Sequence, residues 1–264
     1  MSTGITSGRG FPISVTLITL NEENRLPQAL RSVAWADDRV VIDCGSTDRT
    51  VEIAQSLGAR VIVNPWPGYG AQKNFAQSQA KHDWVLNIDA DEVVPPELAA
   101  EIQSRLESLG LGPAKTRGFA VPRRTFYLGR WIQHGGWYPN HLVRLADRRF
   151  AKWTEPALHE SLKVDGTVET LVPDLLHYSF DGLEDQVRAN LRYAREGSRT
   201  LLDRGKRPSL VKLFIKPIGK FLETYVAKQG FRDGLPGLII SINAAYSMFL
   251  KYAFLFEPKL HPKT

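Results

Sequence analysis

Short β-branched apolar runs alternate with longer stretches of helical periodicity along the first hundred residues. Residues 13–20 (ISVTLITL) have the length and composition of a buried strand, and polar residues 21–24 break it. Leu26, Leu30 and Val33 follow at helical spacing. Residues 40–42 predict a second strand. Gly45-Ser46-Thr47-Asp48 then supplies a turn and a helix N-cap, Val51, Ala54 and Leu57 share one helical face, and Gly58 stands where a C′ glycine belongs. Residues 61–63 and 84–88 predict a third and a fourth strand. Strands alternating with helices predict an α/β fold: a mostly parallel, Rossmann-like sheet with helices on both faces, joined by right-handed crossovers. In such a sheet ligands bind beyond the carboxyl ends of the strands.

Polar residues collect at those ends. Thr19, Asn21 and Glu22 follow the first strand, Asp43 and Asp48 the second, and Asp89, Asp91 and Glu92 the fourth. Acids gathered at one rim repel each other unless a cation or a set of donors neutralises them, so the pattern predicts a bound metal. Asp48 and Glu92 also read as helix caps. In extended geometry Asp89 and Asp91, two apart, would point to one side, where Mg²⁺ or Mn²⁺ could meet both and complete its shell with water and phosphate oxygens.

Composition narrows the partners. With 43% apolar and 23% charged residues, a chain of 264 residues can bury a full core. A net charge of +6 suits a phosphate-bearing partner, whether nucleotide, nucleic acid or anionic lipid, and the acidic rim argues against nucleic acid. Cys44, the single cysteine, excludes an intramolecular disulfide. The N-terminal residues MSTGITSGRGF carry no apolar h-region, which leads us to expect a cytoplasmic body.

Residues 118–145 hold Arg123, Arg124, Trp137 and Tyr138, with Arg130, Trp131 and Arg144, among glycines. Aromatic faces pack on sugar rings and arginines grip phosphates, so a phosphorylated saccharide acceptor is expected here. From about residue 182 the chain reads as helical. Lys212, Lys216, Lys220 and Lys228 are interleaved with Leu213, Phe214, Ile218, Phe221 and Leu222, the pattern of a helix at an anionic membrane surface. Residues 235–256 approach the roughly 20 residues of a membrane span, but Pro236, Ser241, Asn243, Ser247 and Lys251 favour an interfacial or re-entrant helix. The expected organisation is a catalytic domain over residues 1–181, nucleotide-binding over about 11–100 and acceptor-binding over about 101–181, and a membrane-associated helical region over 182–264.

Three runs, VTLITLNEENRLPQALRSV, VVIDCGSTDRTVEIAQSLGA and GYGAQKNFAQSQAKHDWVLNIDADE, resemble in order and spacing the nucleotide-binding half of the family 2 glycosyltransferases of GT-A fold. GGWYPNHLVRL, ALHESLKVDG and LLHYSF, followed by the basic tail, are similar to the bacterial subgroup that adds glucose to the heptose of the lipopolysaccharide inner core. The resemblance implies a nucleotide-sugar donor, usually UDP-linked, a glycolipid or saccharide acceptor, Mg²⁺ or Mn²⁺, and inversion without a covalent intermediate. It also implies that Thr19, Asn21 and Glu22 line the uridine pocket, that Asp43 accepts from the uracil N–H, and that Lys73 faces the base or the diphosphate. Asp89 and Asp91 would serve donor and metal, Glu160 would be the general base and His177 a third metal ligand. Among the later acids, Glu155 precedes a proline and Asp165 a turn glycine, which leaves Glu160 without a structural explanation. The turn containing Gly68 and Gly70 before Lys73 lacks P-loop spacing. A polyprenyl-phosphate glycosyltransferase would share fold, donor and membrane contact and differ in acceptor. A nucleotidyltransferase would need a glycine-rich basic loop where Thr19-Leu20-Asn21-Glu22 stands.

Overall fold

The computed structural model describes residues 11–109, 115–155 and 160–257. His159, the neighbour of Glu160, and His261 lie outside the described residues. Packing divides the chain into two units, one running through Arg123 and resuming over His141–His177, the other comprising Arg124–Asn140 and the chain from Tyr178. Residues 124–140 are thus grouped with the helical region rather than with the sheet that precedes them.

The first unit opens with β1 (Ile13–Thr19), α1 (Leu26–Ser32), β2 (Asp38–Asp43), α2 (Thr50–Ser56), β3 (Arg60–Val63), α3 (Tyr69–Ser78) and β4 (Trp84–Asn87). The strands lie in the order β3-β2-β1-β4, all parallel. Side chains of β2 alternate between the two faces as a strand requires: Val41 packs with Leu26, Leu30, Leu98 and Ile102, while Val40 and Ile42 pack with Ala76 and Phe75 of α3. Gly58 takes φ +78° just beyond α2 and its N–H donates to Gln55 O, the expected helix stop.

Beyond this nucleus the chain adds β5 (Glu92–Val93), α4 (Pro96–Leu109), β6 (Thr116–Tyr127), β7 (Arg130–Trp131), β8 (Asn140–Asp147), β9 (Ala151–Trp153), β10 (Leu162–Val164), β11 (Thr167–Thr170) and β12 (Leu175–His177). Here the sheet turns mixed. β8 runs antiparallel to β4, β12 antiparallel to β5, and β9 and β10 form a separate antiparallel pair. The apolar run at residues 171–176 is strand only from Leu175 onward; Leu171 instead donates its N–H to Ala120 O.

In the second unit β7 pairs antiparallel with Phe126 and Tyr127 at the end of β6. Three helices follow: α5 (Leu183–Asp203), α6 (Leu210–Phe221) and α7 (Gly234–Ala253). Between α6 and α7 lie a π-helical turn (Leu222–Ala227) and a 3-10 turn (Gly230–Asp233). Tyr127, Ile132 and Ile240 form the apolar cluster of this unit, with Trp137 and Phe180 against them. Asp233, 1% exposed, accepts from the N–H groups of Gln133 and His134. Ser209 caps α6 by accepting from Lys212 N–H, and no residue of α6 is buried.

Candidate functional site

The loops after β1 and β2 are stitched together by their own polar side chains. Asn21, in a left-handed backbone conformation at φ 56°, accepts from Thr47 N–H at 2.8 Å and donates its own N–H to Ser46 Oγ at 2.9 Å. Glu22 N–H donates to Thr50 Oγ1 at 2.8 Å, and Asp48 caps the first turn of α2 by accepting from Thr50 N–H at 3.0 Å. Asp43 accepts from Gly45 and Ser46 N–H and from the hydroxyls of Ser46 and Thr19. A carboxylate has about four acceptor positions, so Asp43 is occupied by its own turn, and a hydroxyl must rotate away before it accepts from a base.

Residues 68–74 do not form the surface turn that their glycines suggest. Gly68 takes φ +108° and α3 begins at Tyr69. A Cβ on Gly70 would lie 2.0 Å from Thr154 O, so only glycine lets α3 approach the segment after β9 this closely. Asn74 secures the contact, accepting from Trp153 N–H at 2.9 Å and donating to Trp153 O at 3.0 Å. Its amide also donates to Glu155, which gives that acid a structural partner. With α3 so placed, Lys73 is 7% exposed, its ammonium over the Trp153 ring and bridging Glu160 Oε1 at 2.9 Å and Asp89 Oδ1 at 3.0 Å.

The Asp89-Ala90-Asp91 triplet is not extended. Glu92 N–H donates to Asp89 O, and Asp89 N–H donates to Glu92 Oε2, closing a turn in which the two aspartates take different partners. Asp89 faces Lys73 and Arg144, with Arg144 Nη2 2.6 Å from its Oδ2. Glu92, fully buried, is held by Arg144 and, at 3.2 Å, by Arg123. Lys73, Arg123 and Arg144 thus neutralise Asp89, Glu92 and Glu160 among themselves. Crowding of acids at the rim therefore does not by itself demand a metal, because Lys73, Arg123 and Arg144 meet the charge of Asp89 and Glu92.

Asp91 differs. The β5–β12 pairing sets His177 opposite Glu92, which brings His177 Nε2 within 3.3 Å of Asp91 Oδ2. Two ligands of one Mg²⁺ or Mn²⁺ with bonds of about 2.1 Å stand about 3 Å apart, so this pair fits a hard cation. Among the described residues no three histidine, cysteine or acidic side chains converge on one metal position. Among the described residues Asp91 and His177 are thus a pair of candidate ligands, and Asp89 has both oxygens on cations.

Burial by itself would raise the pKa of Asp89; Arg144 and Lys73 outweigh it and hold the carboxyl far below the usual range. Burial would lower that of Arg144, and Asp89 and Glu92 outweigh it in turn. Arg144 and Glu92 are the pair that sequence reasoning undervalued. The available signal was Arg144 itself, a charge at the start of the buried half of β8, Arg144–Asp147.

Of the residues expected to bind acceptor, Arg123 is engaged with Glu92 in the first unit. Arg124, Trp137 and Tyr138 belong to the second. There Arg124 lies over the Trp131 ring and Trp137 packs against Tyr127 and Phe180, so Trp137 contributes to a core.

A family model described as glycosyl transferase family 2 matches residues 14–141. An uncharacterized glycosyltransferase of Rickettsia bellii (strain RML369-C) is 34% identical over 94% of this chain and 87% of its own length. A lipopolysaccharide core biosynthesis glycosyltransferase of Rhizobium meliloti (strain 1021) is 30% identical over 94% of this chain and 93% of its own. A solved structure of glucosyl-3-phosphoglycerate synthase from Mycobacterium tuberculosis, with Mn²⁺, UDP and glucosyl-3-phosphoglycerate, is 28% identical over 46% of this chain and 45% of that one, with a TM-score of 0.34. On the relatives matched along nearly their whole length, the chain belongs to the family 2 glycosyltransferases.

Proposed function

We propose that this enzyme transfers a sugar, with inversion and metal dependence, from a UDP-linked donor to a saccharide of the lipopolysaccharide inner core, glucose to heptose being the specific expectation. The observation that carries the reading is the convergence of Asp91 and His177 beside the Lys73–Asp89–Arg144 cluster at the ends of β4 and β12. Asp91 and His177 would hold Mg²⁺ or Mn²⁺, which supplies positive charge for the departing diphosphate. Thr19, Asn21, Glu22 and Asp43 border the loops where a nucleoside would rest, and Lys73 adds a cation behind them. Glu160, fixed by Lys73, is the group to accept the acceptor hydroxyl's proton as that oxygen bonds to the anomeric carbon and the nucleoside diphosphate leaves. Without a covalent intermediate an α-linked donor gives a β-linked product. The lipopolysaccharide role rests on the Rhizobium meliloti relative, similar along nearly its whole length.

We assign the second unit a peripheral place on the inner face of the cytoplasmic membrane. The helical stretch Gly230–Phe256 is, by length and composition, long and apolar enough to cross a membrane, its apolar 18-residue window having a mean hydropathy of 1.5. Its polar side favours lying at the interface: Asn243 donates to Gln186 of α5 at 2.6 Å, and Ser241 is fully buried. The exposed Phe214, Ile215 and Ile218 of α6, alternating with Lys212 and Lys216, supply an amphipathic surface.

The test is nucleotide release from a panel of UDP-sugars, with and without heptose-containing lipid A-core, before and after EDTA. Release that needs the heptose acceptor and returns with Mn²⁺ supports the reading. Undiminished turnover without metal sinks the Asp91–His177 assignment, and transfer to polyprenyl phosphate instead of heptose replaces the acceptor.

A further inference from the structure

An open cleft of about 300 Å³ lies between α5, α6 and α7, within the second unit and outside the site described above. Its size falls at the lower end of ligand pockets, about 300 to 1,000 Å³. Among the described residues its lining carries donors without a carboxylate: Lys220, Lys251, Asn190, Tyr193 and Ser247. Three observations point to an anion there. Asn190 Nδ2 is buried and has no hydrogen-bond partner, an arrangement that costs free energy unless a ligand accepts from it. Lys251 forms no ion pair or hydrogen bond among the described residues. Its stem lies against Gly197 in the middle of α5, where a Cβ would stand 3.0 Å from Cε, so a helix-weakening glycine makes room for it. Lys220 is shared with Glu223, whose carboxylate is also held by Lys228, so Lys220 can turn to a second anion without leaving Glu223 unpaired.

The cleft adjoins α6, whose Phe214, Ile215 and Ile218 are exposed. A group of phosphate chemistry with an apolar body attached would satisfy both features at once. We propose that the cleft binds the phosphate of a membrane lipid, with the lipid's chains directed toward the apolar side of α6. This rests on the peripheral-membrane reading above and deepens it, by replacing a diffuse attraction to charge with a defined headgroup site.

Vesicles of phosphatidylcholine containing phosphatidic acid are the probe, read by co-sedimentation at low and high salt. Asn190→Leu changes no charge, and Lys251→Met keeps the stem on Gly197. Lys216→Met, outside the cleft, is the matched control for loss of one charge. We expect Asn190→Leu to weaken vesicle binding severalfold, and Lys251→Met to weaken it more than Lys216→Met, with the excess persisting at high salt because a bound pair is screened less than a surface attraction. If wild-type protein binds these vesicles and both cleft variants match their controls, the cleft proposal is overturned while the membrane reading stands. If wild-type protein binds no anionic vesicle, both fall. Saturation of the cleft by inorganic phosphate, without competition from vesicles, would assign it to a soluble anion and also overturn the proposal. Circular dichroism and transfer to a water-soluble acceptor report whether each variant remains folded.

Discussion

Arg144 Nη2 donates to Asp89 Oδ2 at 2.6 Å, and the same nitrogen reaches Glu92 Oε1, so one buried guanidinium fixes both ends of the turn that carries the aspartate motif. The two acids lose their common cation if it is removed. Arg144→Met should therefore cost about 3 to 5 kcal/mol, the penalty for breaking a buried pair from one side. Arg144→Lys keeps the charge and gives up the planar fork. It should retain the fold while losing turnover by about tenfold or more, since a shift of about 1 Å at a reacting group has effects of that size. Urea midpoints and turnover on the two variants separate the cases; an Arg144→Met protein as stable as wild type would remove Arg144 from the framework.

A second expectation concerns acid. Burial would raise the pKa of Asp38, but hydrogen bonds from Arg60, the Lys81 N–H and Ser14 outweigh it and bring it to about 2. The folded value lies below the ordinary 3.8, so the unfolded chain binds this proton first and stability falls as pH drops. The contribution, on the order of 2 kcal/mol, is complete above pH of about 4 and is lost as pH falls toward about 2. Asp38→Asn should flatten the acid limb of a stability-against-pH curve over that window, and an unchanged limb would place the acid sensitivity elsewhere.

Gly70 supplies a third. Gly70→Ala places a methyl 2.0 Å from a backbone carbonyl, which cannot swing aside as a side chain would. Overpacking of this kind costs about 1 to 3 kcal/mol. Because α3 carries Lys73, turnover should fall further than the stability loss explains. Full activity in Gly70→Ala would mean that α3 can shift without disturbing the ion-pair bridge.

The parts of the molecule legible in sequence were those fixed by local pattern. The β3-β2-β1-β4 nucleus follows from short apolar runs and from caps such as Asp48 and Gly58, whose chemistry acts within a few residues. The site was legible as a set of residues but not as a set of contacts. Asp89 and Asp91 look equivalent in an extended reading, and they take different partners in the turn that Glu92 closes. Lys73 meets Glu160 across 87 positions of sequence only because Gly70 admits the Thr154 carbonyl. Such encounters depend on which helix packs on which strand, and neither periodicity nor spacing encodes that.

The Lys73–Glu160 pair carries the prediction that bears most directly on mechanism. An inverting transfer needs one base beside the acceptor hydroxyl. Asp89 and Glu92 are each held by two cations, Asp91 faces His177, and Glu155 is bonded to Asn74, whereas Lys73 holds Glu160 through Oε1 alone among the described residues, so Glu160 is the base we propose. Lys73 fixes its position. Glu160→Gln keeps the size and can still accept from Lys73, so donor and metal binding should persist while turnover falls by roughly 10² to 10⁴, the usual worth of a positioned base. Lys73→Met should behave differently. It frees Glu160 and removes one of the two cations on Asp89, so the donor KM should rise along with the loss in kcat. The contrast separates a group that reacts from a group that positions. Near wild-type turnover in Glu160→Gln at saturating substrate, or a loss of donor affinity equal to that of Lys73→Met, would move the base to another residue and leave Glu160 as part of the ion-pair framework.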